Sequence, residues 1–377
     1  MSDPSNSLLE PAGRSAAPVR EPRYPVLFVN LSRTWGGGEQ WHLATALALS
    51  KRGWPVELLV RPGSMLEGRA RAEGLACCSV SLGAASALNP IKVRRVLKEL
   101  GRLKPEAIVL NGGRELKSAG VLARLAGVPR VILRRGIPQP AGDWLGRQIV
   151  RRVPTRLIAN SQATLDALTA DYPDRLGGLR PRVIYNGVDA SGFSPPATRH
   201  STKRLATVGR LEWEKGHDLL ILAFEIVLRH LPQARLRIVG DGRERLALEG
   251  LADRLGVRGN IEFTGESRRV PELLRECDVF VLPSRWEGFG FAMVEAMLME
   301  LPVVAFDAMA AKEVVVNGVT GLLTPVGDVE ALAAAIVALL EQPARARDLG
   351  KAGRLRALSL FTIDRATSEL ERVLLES

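Results

Sequence analysis

Two carboxylates stand out in VLPSRWEGFGFAMVEAMLMELPVVAF: Glu287, in the turn before a helix expected to begin around Gly290, and Glu295 inside that helix. Eight residues separate them, about 2.2 helical turns, so both can face one cleft. The backbone N–H groups of Gly288, Phe289, Gly290 and Phe291 point toward that cleft too, as donors to phosphate or sugar oxygens. A carboxylate in a first turn also complements the helix dipole, and Glu295 also fits a solvated helix face. The pair alone leaves both readings open.

A second loop, VGRLEWEKGHDLL, puts Arg210 and Lys215 just after Gly209 at a strand end. Two cations there suit a diphosphate leaving group that gains negative charge in the transition state; a surface pair neutralised by Glu212 and Glu214 is the alternative. Earlier, SRTWGGGEQW sets Gly36, Gly37 and Gly38 before a helix starting near Glu39. Glycines let backbone approach a ligand closely, and the helix N-terminus attracts anions. A tight strand-to-helix turn explains the same residues. The pattern is neither G-x-G-x-x-G nor a P-loop, since no Lys-Ser or Lys-Thr follows.

These loops need a scaffold, and the chain alternates β-branched apolar runs with longer helix-period segments, as parallel strands joined by crossover helices do. Expected strands are Val26–Leu31, Val56–Val60, Ala107–Leu110, Val131–Leu133 and Arg156–Asn160, with a helix over Glu39–Arg52. The pattern restarts at Arg204–Gly209, Leu236–Gly240, Ile261–Gly265, Val279–Pro283 and Pro302–Phe306. Ser191–Lys203, with a Pro pair and no apolar periodicity, reads as an interdomain linker. The expectation is an α/β protein with a disordered tail over 1–23, a first doubly wound domain over 24–195 and a second over 196–359. Ligands bind beyond the carboxyl ends of strands in such sheets, so the chemistry belongs in a cleft between facing domains.

At 377 residues and 46% hydrophobic content the chain has ample material for two cores. The net charge of +11 is uneven: residues 1–196 hold 28 basic and 15 acidic side chains, whereas 197–377 hold 24 and 26. A basic domain favours anionic partners such as nucleic acid, phospholipid or a phosphorylated substrate. Three cysteines, two of them adjacent (Cys77, Cys78), form neither a disulfide framework nor metal-ligand spacing, which fits a reducing compartment. The N-terminal stretch lacks the apolar run of a secretory signal, and no uncharged run approaches membrane-spanning length. A cytoplasmic protein, able to lie on the inner face of the plasma membrane, is expected.

The linked segments EGFGFAMVE, VGRLEWEKG, VGDG (Val239–Gly242) and YNGVD (Tyr185–Asp189) resemble the retaining GT-B glycosyltransferases of family 4, the glycosyl transferases group 1. GGGE, NSQATLDAL (Asn160–Leu168), IEFTG and NGVTGLLTP (Asn317–Pro325) follow in that family's order, so the resemblance covers almost the whole chain. It implies two Rossmann-like domains facing across a cleft, with a C-terminal helix, about 360–377, packing back on the first. It implies a nucleotide-sugar substrate, with Arg210 and Lys215 on its diphosphate and Gly37 and Gly38 approaching from the opposite domain. Glu287, beside the backbone of Gly288, Phe289 and Gly290, would contact the donor sugar. Glu295 would hold the ribose hydroxyls, and Gly209, Gly240 and Asp241 would lie near the nucleoside. Retention would follow front-face attack. The chain has no Asp-x-Asp, so neither a metal nor another cofactor is expected.

The chain departs from the family twice. VLNGGREL offers Asn111 and Arg114 where relatives carry a His loop, and AMAAKE replaces the Gly-Gly before Glu313. Acceptor contacts are expected from Asn111, Arg114, Arg134 and Arg135. Trp144, Leu145, Ile149 and Val150 interleave with Arg147, Arg151 and Arg152 as a short basic amphipathic stretch, equally readable as a core helix with a solvated Arg face. With the basic domain, it leads us to expect a glycan, phosphorylated or lipid-linked acceptor at an anionic membrane, in cell-envelope or lipopolysaccharide synthesis. Two alternatives are a GT-B sugar-nucleotide epimerase and a membrane or nucleic-acid binding module with a vestigial donor site. No nucleic-acid motif accompanies the charge, so a nucleic-acid partner is not expected.

Overall fold

The computed structural model describes residues 23–82, 89–137, 144–172, 179–198 and 202–376. Residues 1–22 of the expected tail over 1–23, and parts of the linker and of the basic stretch, lie outside the described residues. Continuous apolar runs such as those of the inner strands Val26–Asn30 and Ala107–Leu110 are buried on both faces. The first sheet comprises β1 (Val26–Asn30), β2 (Val56–Val60), β3 (Ala76–Ser79), β4 (Ala107–Leu110), β5 (Arg130–Arg135), β6 (Arg156–Ala159) and β7 (Arg182–Val183). The second comprises β8 (Arg204–Val208), β9 (Arg235–Val239), β10 (Ile261–Gly265), β11 (Val279–Leu282), β12 (Val303–Phe306) and β13 (Gly321–Thr324).

All ladders between these strands are parallel. Their spatial orders are β3, β2, β1, β4, β5, β6, β7 and β10, β9, β8, β11, β12, β13. Each sheet therefore reverses direction of growth once, between β1 and β4 and between β8 and β11. The loops leaving these strand pairs splay to opposite faces and open a crevice.

Period-two alternation divides each sheet between two cores. Leu27, Val29, Ile108 and Leu133 face one side of the first sheet, while Val26, Phe28, Val109 and Ile132 face the other. In the second, Leu205, Ile238, Val281 and Val304 oppose Ala206, Phe280, Leu282 and Val303. The strands missed in the sequence, β3, β7 and β13, lie at the sheet edges or, as β7, span only two residues.

The chain crosses between domains twice, side by side. Val188 donates its N–H to the Phe361 carbonyl (2.8 Å) and accepts from Ile363 N–H (3.0 Å). Gly187 allows this approach: a Cβ there would lie 2.5 Å from Ile363 Cα. After the crossing, Thr362 caps the helix Ile363–Leu375, whose Leu370, Val373 and Leu374 join the first domain's core. Arg52 and Trp54 Nε1 donate to Glu371 at 2.6 and 2.8 Å. Among the described residues no helix is long and apolar enough to cross a membrane.

Candidate functional site

The chemistry-bearing loops leave the two switch points. From β8 the chain turns through Gly209 and Arg210 into a short 3-10 turn, Trp213–Lys215, and then the helix His217–His230. From β11 it passes Ser284 and Glu287 before the helix Phe291–Leu298, one residue later than expected, with Gly290 as N-cap. This brings Lys215 and Glu287 together: Nζ donates to Oε2 at 2.7 Å, and the side chains are 21% and 12% exposed. Ser284 Oγ donates to the same oxygen at 3.4 Å. The cation and the carboxylate, 72 residues apart in sequence, thus occupy one sheltered corner.

Glycines set the shape of that corner. Gly216 has φ +66°, and a Cβ there would collide with the Pro283 carbonyl oxygen. Gly240 (φ +143°) and Gly242 fold against the backbone of Gly209 and Leu211, where side chains would overlap carbonyl oxygens. Asp241 is exposed and accepts from Gly242 N–H at 2.8 Å. Arg210 is half exposed and paired with Glu214 at 2.8 Å, the arrangement expected of a surface pair. The neighbouring Arg285 makes a two-toothed bond with Asp218 (2.8 and 2.6 Å) while stacking on Trp213. That pairing stiffens the cationic loop.

The opposing wall comes from β1 and β4. The helix Gly37–Lys51 starts two residues earlier than expected, so Gly37 and Gly38 form its first turn. A Cβ on Gly37 would lie 3.4 Å from the Phe291 ring of the second domain, and one on Gly38 only 2.7 Å from Asn111 Nδ2. Gln40 Nε2 reaches Glu295 Oε1 at 3.4 Å across the cleft. Burial pushes the Glu295 carboxyl up from its ordinary value, an effect the Gln40 hydrogen bond opposes. At Gly288 the domains touch: its Cβ would overlap the Gly136 carbonyl oxygen. Phe289 has its ring buried among Tyr185, Phe291 and Phe361, leaving only its backbone to meet a ligand.

The residues expected on the acceptor side divide. Asn111 and Arg134 belong to a buried network: Asn30 Nδ2 (3.0 Å) and Asn111 Nδ2 (3.3 Å) donate to Glu39 Oε1. Arg134 donates to Asn111 Oδ1 (3.2 Å) and Asn186 Oδ1 (2.9 Å) and stacks over Trp41. Arg134 is 3% exposed; burial pushes its guanidinium pKa down and Glu39 holds it up. The network fixes the glycine turn from beneath. Arg114 is exposed and Arg135 half-buried. Glu313 does not lie free in the cleft: its two oxygens accept from Gln162 and Ala163 N–H, both at 2.7 Å, capping a first-domain helix from the second domain. Sequence reasoning missed the roles of Gln40, Asn30, Glu39 and Asn186, although Glu39 lay inside GGGE and Asn186 inside YNGVD.

Two histidines support these loops without charge. His42, whose Nδ1 lies 3.0 Å from the Gly38 carbonyl, has its pKa pushed down by burial, with Arg134 adding to the effect, to about 3. Burial and Lys215 push His217 down to about 4. The unfolded chain takes up protons below the ordinary value of about 6.5 that the folded protein refuses. Stability should therefore fall as pH drops from about 6.5 toward 4, by up to about 1.4 kcal/mol per pH unit for each histidine. Denaturant titrations across that range test this; His42→Gln should flatten the slope, and an unchanged slope would contradict the assignment.

Two facing doubly wound domains with switch-point loops across a cleft define the GT-B class of fold. Residues 35–191 match the model described as Glycosyltransferase Family 4, and residues 193–356 that described as Glycosyl transferases group 1. The chain belongs to this glycosyltransferase family. It is 31% identical over 248 residues to the lipopolysaccharide core biosynthesis mannosyltransferase LpsB of Rhizobium meliloti, covering 60% of this chain and 66% of that one. It is 29% identical to a GDP-mannose-dependent alpha-(1-6)-phosphatidylinositol monomannoside mannosyltransferase of Mycolicibacterium smegmatis, over 72% of this chain and 76% of that one. The chain spans 54% to 66% of the length of LpsB and three further relatives. In fold it is similar to Anabaena HepE, solved in complex with UDP and glucose (TM-score 0.82, 23% identity, 93% and 99% of the two chains).

Proposed function

We propose that this protein transfers a hexose-type sugar from a nucleotide-sugar donor to a glycan or lipid-linked acceptor, with retention at the anomeric carbon and without a metal. The observation that carries the reading is the Lys215–Glu287 pair at one switch point, opposite the Gly37–Gly38 turn at the other. On donor binding, Lys215 turns to the diphosphate with Arg210, while Glu287 receives the sugar hydroxyls. The bond from the anomeric carbon to the phosphate oxygen breaks as the acceptor oxygen attacks on the same face. The acceptor's proton passes to the departing phosphate oxygen. Lys215, Arg210 and the helix-end N–H groups stabilise the charge that develops there. Glu295 holds the ribose.

The names of relatives that build lipopolysaccharide core and mannosylated phosphatidylinositol support a cell-envelope acceptor. Exposure of Trp144 (73%) on the same helix as the exposed Arg147 supports work at an anionic membrane surface on the cytoplasmic side. A thermal-shift screen against UDP, GDP and ADP sugars should raise the melting midpoint for one class. The product formed with that donor should keep its anomeric configuration, and chelator should leave the rate unchanged. Inversion, or abolition by chelator, would defeat the proposed mechanism; an epimerised nucleotide sugar without transfer would defeat the transferase reading.

A further inference from the structure

A cavity of about 370 Å³ lies outside the donor corner, lined by Arg33, Arg61, Pro62, Gly63, Ser64 and Ser81. These residues follow β1, β2 and β3, so the cavity opens at the carboxyl edge of the first sheet, adjacent to the glycine turn. Its volume is that of roughly a dozen water molecules, enough for a group of several heavy atoms. The neighbouring surface meets the second domain. Arg69, on the helix Met65–Ala72 that leaves the cavity, stacks on Trp35 at 3.8 Å and pairs with Glu266 at 3.3 Å. The cavity therefore stands at the mouth of the interdomain cleft.

Its charge is unbalanced. Arg52, Arg69, Arg71, Arg102 and Arg130 of the same domain each have a carboxylate partner, whereas Arg33 and Arg61 have none among the described residues. The nearby carboxylate, Glu67, is already engaged: it accepts from Gly63 N–H at 2.7 Å, from Arg71 at 3.0 Å and from Ser79 Oγ. Gly63, at φ +69°, has open space where a side chain would stand, so its turn exposes backbone to the cavity. Two arginines and the Ser81 hydroxyl line this one cavity, the donor types that a phosphate oxyanion requires.

We infer that this cavity is an anion subsite that holds a phosphate group of the acceptor at the cleft mouth while its hydroxyl enters the donor corner; this rests on the transferase reading. Arg33 and Arg61 bind the phosphate, and Ser81 supplies a further hydrogen bond. The first-domain charge gathers such acceptors, and these two side chains select among them. Uncharged glycans of the same shape gain nothing from the subsite.

The test uses the full chain with its donor site filled by the nucleoside diphosphate that binds, so that added inorganic phosphate reports on the second site alone. Calorimetry should detect phosphate binding to the native protein. In the Arg33→Gln/Arg61→Gln double variant that affinity should fall at least tenfold, while nucleoside diphosphate affinity, which also reports folding, stays unchanged. Co-sedimentation with phosphatidylcholine vesicles, with and without phosphatidylglycerol, distinguishes the sources. Retention by the anionic vesicles that the double variant loses assigns a lipid headgroup; phosphate binding without such a loss assigns a soluble phosphorylated acceptor. Phosphate binding that is absent from the native protein, or equal in the double variant, overturns the inference. Failure of the native protein to bind any nucleoside diphosphate overturns the transferase reading instead.

Discussion

Replacing Lys215 by methionine is expected to lower kcat by about 100- to 1000-fold, the loss typical of one preorganised donor aimed at developing charge. Nucleoside diphosphate affinity should fall far less, because Arg210 and the helix-end amides remain. The variant should also lose stability without any ligand. Glu287 is only 12% exposed at its side chain and takes its short charged hydrogen bond from Lys215, so the substitution strands a carboxylate with Ser284 as its remaining side-chain partner. Leaving such a group unsatisfied costs about 1–3 kcal/mol. Adding Glu287→Gln should recover part of that stability and none of the rate. This separation distinguishes a catalytic pair from a structural one: if both variants kept near-native kcat, the pair would serve the fold alone. Rapid-quench turnover and urea titration of the two single variants and the double variant measure both quantities.

The same pair shows where sequence reasoning succeeds and where it stops. AIVL was legible to the residue as β4, since a strand buried on both faces is apolar without interruption; VELLV and IEFTG matched β2 and β10 although Glu57 and Glu262 interrupt them and β10 lies at a sheet edge. ACCS and GLLT, which form β3 and β13 at the sheet edges, lack that demand and carry little signal. Lys215 and Glu287 could each be placed at a strand end, but their contact depends on β8 lying beside β11, a neighbour relation that periodicity does not encode. Glu39 and Asn111 had separate meanings in sequence, a helix start and the substitute for a histidine loop. Packing joins them through Arg134 into one support for Gly38. The inferred acceptor subsite was least legible because Arg33 and Arg61 belong to different loops, and SRTWGGGEQW drew notice for its glycines rather than for Arg33.

Glu313 adds a mechanical consequence. The proposed donor, between Gly37 and the Lys215 corner, needs both domains, and beside the apolar contacts of Phe291 at Gly37 and Phe289 at Tyr185 they meet through polar ones: Glu313 on the Gln162 helix, Gln40 on Glu295, Arg69 on Glu266. Polar contacts exchange readily with water, so such an interface permits opening for substrate entry. The paired crossings at Val188 and Phe361–Ile363 keep that motion about one line. Glu295 belongs both to the interdomain contact with Gln40 and to the proposed donor site.

Glu295→Gln should therefore separate stability from binding. Burial raises the carboxyl's pKa, so the folded protein holds a proton that the unfolded chain, with its ordinary carboxyl, has released. The folded state is favoured as pH falls through that window, and the advantage is lost as pH rises through the raised folded value. Above that raised value the ligand-free protein carries a negative charge at Glu295 whose side-chain partner is the Gln40 amide at 3.4 Å. The neutral amide removes that charge, so the variant should match or exceed native stability once pH has risen through the raised folded value, and its gain should shrink as pH falls. Donor binding should move the opposite way. A carboxylate accepts from both ribose hydroxyls and an amide oxygen does so more weakly, so nucleoside diphosphate affinity should fall about tenfold, which corresponds to roughly 1.4 kcal/mol. Native affinity should itself weaken as Glu295 takes up its proton, while the variant's should not follow that titration. Calorimetric binding and denaturant titrations at matched pH values measure both. Unchanged affinity in the variant would remove Glu295 from the donor site, and lower stability at every pH would show that its charge is compensated in the fold.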